Sequence, residues 1–391
     1  MGQEYSARFD EVIDRTSTSS SKWEKYAGQD ILPFWVADMD FPAPEFVLAA
    51  VRERLEHEII GYTRIPTTLV EAFQGWLQRT YNWTIPNEWL VWIPGVVTGF
   101  NLAARAVAQP GGSILIPTPV YYPFLEVPEH VSQTSVRVPL VREVTSTAAG
   151  EATEHWAMDF DALQTAITPN TRLFMLCNPQ NPTGRVYRKT ELVKLADFCL
   201  EHGLYLCSDE IHASIILDES VSHIPIASLS PEIADRTISL FAPSKVYNIP
   251  GIPCAVAVIP NFELRHLFTN AREGLVSSLG PLAMAAGQAA FADQSNYVPE
   301  LLSYLRGNHQ RLLEVVGERM TPVAATYLAW IDFTDTAIAN RPGAYFESFG
   351  LGLSDGAAFD GAGFVRFNFA CPRSLLDRGL ERYEEAVANL G

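Results

Sequence analysis

The sequence predicts an α/β fold: a mostly parallel sheet with helices on both faces, joined to a smaller α+β domain. Short, wholly apolar strands recur through the middle of the chain, and longer segments separate them. Beyond roughly Asn270 the rhythm changes to long helical stretches, then a few strands, then a final helix. Apolar runs of this length suit strands buried on both faces by crossover helices.

The first 45 residues read as an arm that contributes to the smaller domain. A helical pattern runs from Phe46 to Ile60 and ends at Gly61. A second, Val97 to Ala108, opens after Pro94-Gly95 and closes before Pro110-Gly111. The strands follow as SILIP at 113–117, LFMLC at 173–177, LYLCS at 204–208, TISLFA at 237–242 and CAVAVI at 254–259. A large domain is expected over residues 46–275. A small one is expected over 276–391, where YLAWIDF and GFVRFNFA read as strands. There is no internal repeat, and no low-complexity stretch beyond STSSS at 17–21.

Composition narrows the partners. At 391 residues and 48% hydrophobic content the chain has the means to bury a large core. A formal charge of −17, from 45 acidic against 28 basic residues, repels phosphate backbones and anionic lipid, so neither nucleic acid nor membrane is an expected partner. The five cysteines, Cys177, Cys199, Cys207, Cys254 and Cys371, are odd in number and scattered through apolar runs, which suits reduced thiols. MGQEYSARFDEVIDR has no basic stretch followed by an apolar core, and no apolar run approaches bilayer length, so the cytoplasm is the expected compartment. No metal is expected.

Ligands of open α/β sheets collect at the carboxyl ends of the strands, and here each strand exit carries chemistry. Thr118-Pro119-Val120-Tyr121-Tyr122 follows the first, and Asn178-Pro179-Gln180-Asn181-Pro182-Thr183-Gly184 the second. Asp209-Glu210-Ile211-His212 and Pro243-Ser244-Lys245 follow the next two. Singly, each has a bland explanation: a solvated lysine, a helix-capping acid, a turn. Together they offer an aromatic plate, an amide, a carboxylate, a hydroxyl and an amine, which suit a flat, anionic, nitrogen-containing ring bearing an aldehyde. A carboxylate beside a ring nitrogen keeps it protonated, and Asp209 is the candidate. A desolvated lysine loses its proton and condenses with an aldehyde, and Lys245 is the candidate. The helix opening at Gly95-Val96-Val97-Thr98 presents backbone N–H groups and its positive dipole end to a phosphate.

These residues resemble the fold-type-I pyridoxal-phosphate enzymes, the aspartate aminotransferase superfamily. CNPQNPTG, the SDE at 208–210 and the SK at 244–245 fall in that superfamily's order. Within it the chain most resembles the MalY/PatB-type cystathionine β-lyases, or carbon-sulfur lyases. FWVADMDF at 34–41, PGVVTG at 94–99, PTPVYYPF at 117–124, SDEIH at 208–212 and VRFNFACPR at 365–373 carry the likeness. The resemblance implies pyridoxal 5'-phosphate as cofactor, with Lys245 its Schiff-base lysine. It implies that Tyr121 stacks on the ring, Asn181 bonds its phenolate oxygen, Asp209 pairs with its nitrogen and Ser244 binds the phosphate beside Val96 and Val97. Tyr62, in GYTRIP, resembles a tyrosine that reaches the neighbouring phosphate across a dimer interface, which implies a homodimer with shared active sites.

Arg366 resembles the arginine that grips the substrate's α-carboxylate. The alternation in FVRFNFA independently puts Arg366 and Asn368 on the face opposite Val365, Phe367 and Phe369, and an arginine in so apolar a strand needs an anion. An internal ion pair with an acid is the other explanation. Two positions depart from the broad aminotransferase pattern. Pro253 stands where many members place a phosphate-binding arginine, and His212 stands where a tyrosine is common, either contacting the phenolate oxygen or filling space. Both departures favour a lyase.

The implied reaction is β-elimination from an L-cysteine-derived amino acid: Lys245 removes the α-proton, a thiolate leaves, and pyruvate and ammonia result. Alternatives are an aminotransferase of unknown amino-acid preference, and a regulatory or binding protein that retains the fold. A nucleotide-dependent oxidoreductase lacks its G-x-G-x-x-G after the first strand.

Overall fold

The computed structural model describes residues 5–146 and 152–390. Its centre is a seven-stranded sheet. In spatial order the strands are Leu90–Ile93, Ala255–Val258, Thr237–Phe241, Tyr205–Asp209, Thr171–Cys177, Ser113–Thr118 and Thr134–Pro139. All run parallel except Ala255–Val258, which is antiparallel to both its neighbours. Leu173, Phe174, Leu206, Cys207, Ile238 and Leu240 are fully buried, as apolar runs covered on both faces require.

The helix Val96–Val107 buries Val96, Phe100, Ala103, Ala104 and Val107 along one stripe against this sheet. Gly99 lets it come close, since a Cβ there would lie 2.7 Å from Ile93 Cδ1 and 2.8 Å from Leu240 Cδ2. Gly95 takes φ +128° just before the first turn, a conformation open to glycine. Together they lay the start of the helix along the carboxyl edge of the sheet.

A three-stranded antiparallel sheet, with Phe364–Asn368 between Leu328–Asp332 and Ser354–Asp355, forms a second layer near the C-terminus. The arm packs there. Leu32–Pro33 pairs in parallel with Leu351–Gly352, and Tyr5, Phe9 and Phe34 share a core with Tyr304, Phe367 and Tyr383. The helix Pro281–Ala292 packs instead on Glu45–Glu56 and Thr67–Tyr81.

One expected element is shorter than its sequence pattern. The helix begun at Glu45 ends at Glu56, not at Gly61. Phe46, Val47 and Val51 find the core, whereas Leu55, Ile59 and Ile60 are exposed and join no core cluster among the described residues. Among the described residues, no helix is long and apolar enough to cross a membrane. All five cysteines are buried free thiols.

Candidate active site

The four strand exits and the helix start converge on one cavity of about 250 Å³. Tyr121, Asn181, Asp209, His212, Ser244 and Lys245 line it, with Gly95, Val96, Val97 and Thr98 at one end. Arg366 comes from the second layer and reaches the same place, donating from Nη1 to Asn181 Oδ1 at 3.0 Å. Tyr62 lies elsewhere: it is fully exposed in the loop after Glu56 and does not line the cavity of its own chain.

The charges here are desolvated and form no direct ion pair among the described residues. Burial pushes the Asp209 carboxyl up to about 7, opposed by the Ile211 N–H, which donates to Oδ1 at 3.0 Å, and by the charge of Lys245. Burial, with the nearby Arg366 charge, pushes Lys245 down to about 8 against the pull of Asp38 and Asp209. Its Nζ donates to the Ala37 carbonyl at 2.5 Å. Burial holds His212 well below the usual imidazole range, so it is neutral, and its Nδ1 has no partner among the described residues.

Arg366 is the sharpest case. It is buried, pushed down to about 10, and engaged with the Trp35 carbonyl at 2.7 Å, Ser354 Oγ at 3.4 Å and the face of Phe359 at 4.6 Å. Nε is unpartnered, and the arginine forms no ion pair among the described residues. The internal ion pair considered for it is therefore not what the fold makes. Arg185 is the contrast. It lines a separate cleft of about 360 Å³ with His309 and Thr321, but its guanidinium is bound to Glu191 at 2.6 Å and to the Trp156 and Val186 carbonyls. The Arg185 guanidinium is thus already committed within the fold.

Pyridoxal 5'-phosphate fits the cavity donor for donor. The helix Val96–Val107 has no side-chain cap, so its first N–H groups are open to a phosphate beside Ser244. Asp209 suits the ring nitrogen, and Lys245, its pKa lowered, suits the aldehyde. Because Asn181 Oδ1 already accepts from Arg366, its Nδ2 is the end left for the phenolate oxygen. Lys245 is the one cation among the lining residues, and Pro253 stands in the wall. Sequence reasoning missed Ala37, Cys177, Pro250 and Cys254 in this lining, and the Tyr327 hydroxyl, which donates to Ala37 O at 3.0 Å. The FWVADMDF motif marked the neighbourhood of Ala37 but not that its main chain is what counts.

The chain matches the class I and II aminotransferase family over residues 29–382. It is 35% identical over 396 residues to the cystathionine beta-lyase PatB of Bacillus subtilis (strain 168), covering 97% of this chain and 100% of that protein. Among solved structures it resembles OvoB, with a TM-score of 0.92 and 39% identity over 97% of this chain and 99% of that one. It also resembles the PLP-bound C-S lyase of Staphylococcus hominis, with a TM-score of 0.88 and 31% identity over 97% and 99% of the two chains.

Proposed function

This chain belongs to the aminotransferase class I and II family, as a pyridoxal-phosphate enzyme, and we propose that it is a carbon-sulfur β-lyase acting on an L-cysteine-derived amino acid. The observation that carries the proposal is Arg366, a buried guanidinium with no acid of its own among the described residues, bonded to Asn181 in the wall of the cavity that holds Lys245 and Asp209. A site so built wants a carboxylate from outside, next to an amine and a proton acceptor. The full-length likeness to proteins named cystathionine β-lyase favours elimination over amino transfer.

Arg366 grips the α-carboxylate through the fork geometry that suits arginine. The cofactor, when bound, supplies an aldehyde for the substrate's amine and a protonated ring that draws electrons from the α-carbon. Asp209 would keep that ring nitrogen protonated, and Tyr121 would supply the plate for the ring. Val96 and Val97 N–H groups and Ser244 would hold the phosphate, joined by the exposed Tyr62 of a second copy in a homodimer. Asn181 orients the cofactor's oxygen and the guanidinium together. Lys245, poised near neutrality, takes the α-proton, and the electron pair left at Cα expels the Cβ sulfur as thiolate. With one water consumed, the products are a thiol, pyruvate and ammonia. The compartment this implies is the cytoplasm, where buried free thiols persist.

Purified holoenzyme given L-cystathionine should release pyruvate and free thiol in equal, steady amounts, and Lys245→Ala should release neither. Amino transfer to an oxo acid without elimination would make it an aminotransferase instead. A cellular phenotype that survives Lys245→Ala would favour a binding role.

A further inference from the structure

Residues 35–38 run past the cavity, Ala37 lining it, as a strap whose main-chain carbonyls accept hydrogen bonds from Arg366, Asn368 and Lys245, while Asp38 O also accepts from Lys22 Nζ at 3.4 Å. Trp35 O accepts from Arg366 Nη2 at 2.7 Å and from Ser354 Oγ at 2.9 Å. Val36 O and Asp38 O accept from Asn368 Nδ2 at 2.5 and 2.7 Å. Ala37 O accepts from Lys245 Nζ at 2.5 Å and from the Tyr327 hydroxyl at 3.0 Å. Both cations of the site are thus oriented by backbone, and backbone orients well only when it is itself held.

What holds it is a cluster on the outer side, built by the arm, with Lys22 and Asp40 buried and Arg15 and Asp38 half-buried. Lys22, its side chain wholly buried, meets Asp40 Oδ2 at 2.6 Å. Arg15 bridges Asp38 Oδ2 at 2.6 Å and Asp40 Oδ1 at 2.7 Å. Trp23 Nε1 donates to Asp40 Oδ1 at 3.1 Å, and Trp35 Nε1 returns a bond to Lys22 O at 3.1 Å. Asn248 fixes the next turn through Met39 N at 3.0 Å and the Met39 and Phe41 carbonyls. The Lys22–Asp40 pair, out of water at this spacing, allows little freedom.

We propose that Lys22 and Arg15 are positioning residues: by locking Asp38 and Asp40 they fix the 35–38 strap, and through it the aim of Arg366 and the seat of the Lys245 amine. This rests on reading Lys245 as the α-proton base and Arg366 as the carboxylate grip. The arm is then part of the catalytic apparatus though none of its residues before Trp35 touches the cavity.

The test is α-proton exchange on L-alanine in D2O, followed by proton NMR with matched holoenzymes. L-alanine has no Cβ leaving group, so the Cα–H bond breaks, the proton passes to the amine, and a deuteron returns in its place. Lys22→Met is expected to slow exchange tenfold or more at unchanged cofactor absorbance per protomer. Trp23→Phe, which removes one hydrogen bond and no charge, should slow it two- to fivefold and decides the matter if Lys22→Met does not fold. In cofactor-free protein, amide exchange by mass spectrometry over residues 35–40 should quicken tenfold or more in Lys22→Met. Exchange rates within twofold of the unmodified enzyme in both variants, or unchanged amide protection, would overturn the proposal. If Lys245→Ala itself still exchanges the α-proton, the functional reading falls and takes this inference with it. If only the Lys22 and Trp23 variants match the parent, the inference falls alone.

Discussion

The two sides of the 35–40 strap hold buried charge in opposite ways. On the outer side Lys22, Arg15, Asp38 and Asp40 are matched, two cations to two acids, within 2.6–2.7 Å. Burial alone would push the Asp40 carboxyl up, yet Lys22 and Arg15 hold it below the usual carboxylate range. On the inner side Asp209, Lys245 and Arg366 make no ion pair among the described residues, and burial moves Asp209 up and Lys245 down toward neutrality. Paired charges fix geometry, whereas unpaired ones wait for a ligand and titrate where chemistry needs them. The second condition costs the empty protein stability.

Substitutions should separate the two sides, starting with the largest effect. Lys245→Ala is expected to lower kcat by about 10²–10⁴-fold or more, with the folded protein's melting temperature maintained, as steady-state assay and calorimetry will read. Asp40→Ala takes the close partner from the buried Lys22, leaving Arg15 only Asp38, and should cost about 3–5 kcal/mol in denaturant unfolding. A loss below 1 kcal/mol, on the order of an exposed pair, would mean the cluster does not hold the strap.

Asp209→Asn should do the reverse, stabilising the cofactor-free protein while abolishing activity. The Asp209 pKa is raised from 3.8 unfolded to about 7 folded. Folding therefore gains nothing from Asn below pH about 3.8, where both states are protonated. The gain grows as the unfolded carboxyl ionises and levels off above about 7. Its ceiling is about 4 kcal/mol, measurable as a pH-dependent difference in unfolding free energy. The smallest effect is structural: Gly99→Ala, with a Cβ 2.7 Å from Ile93 Cδ1, should cost about 1–3 kcal/mol and weaken cofactor affinity by lifting the helix start off the sheet.

The inner side was largely legible in the sequence. Tyr121, Asn181, Asp209, Ser244 and Lys245 follow uninterrupted apolar strands, so order along the chain already placed them at one edge. The helix at Val96 was read to within a residue because its proline-glycine flanks are local signals. The outer side was not legible. Lys22 sits beside the polar stretch at 17–21 and looks solvated; its burial comes from Asp40, eighteen residues on, and no local pattern announces such a pairing. Likewise the sequence pattern overruns the helix at 46–60, because Ile59 and Ile60 continue an apolar stripe that finds no core among the described residues. The antiparallel strand Ala255–Val258 reads as apolar as its parallel neighbours, so its direction shows only in the fold.

The measurement that bears most directly on the central claim is where the cofactor attaches. Holoenzyme reduced with borohydride, digested and sequenced by tandem mass spectrometry should carry the pyridoxyl mass on the peptide containing Lys245. The mass on any other lysine, Lys22 included, would contradict the account.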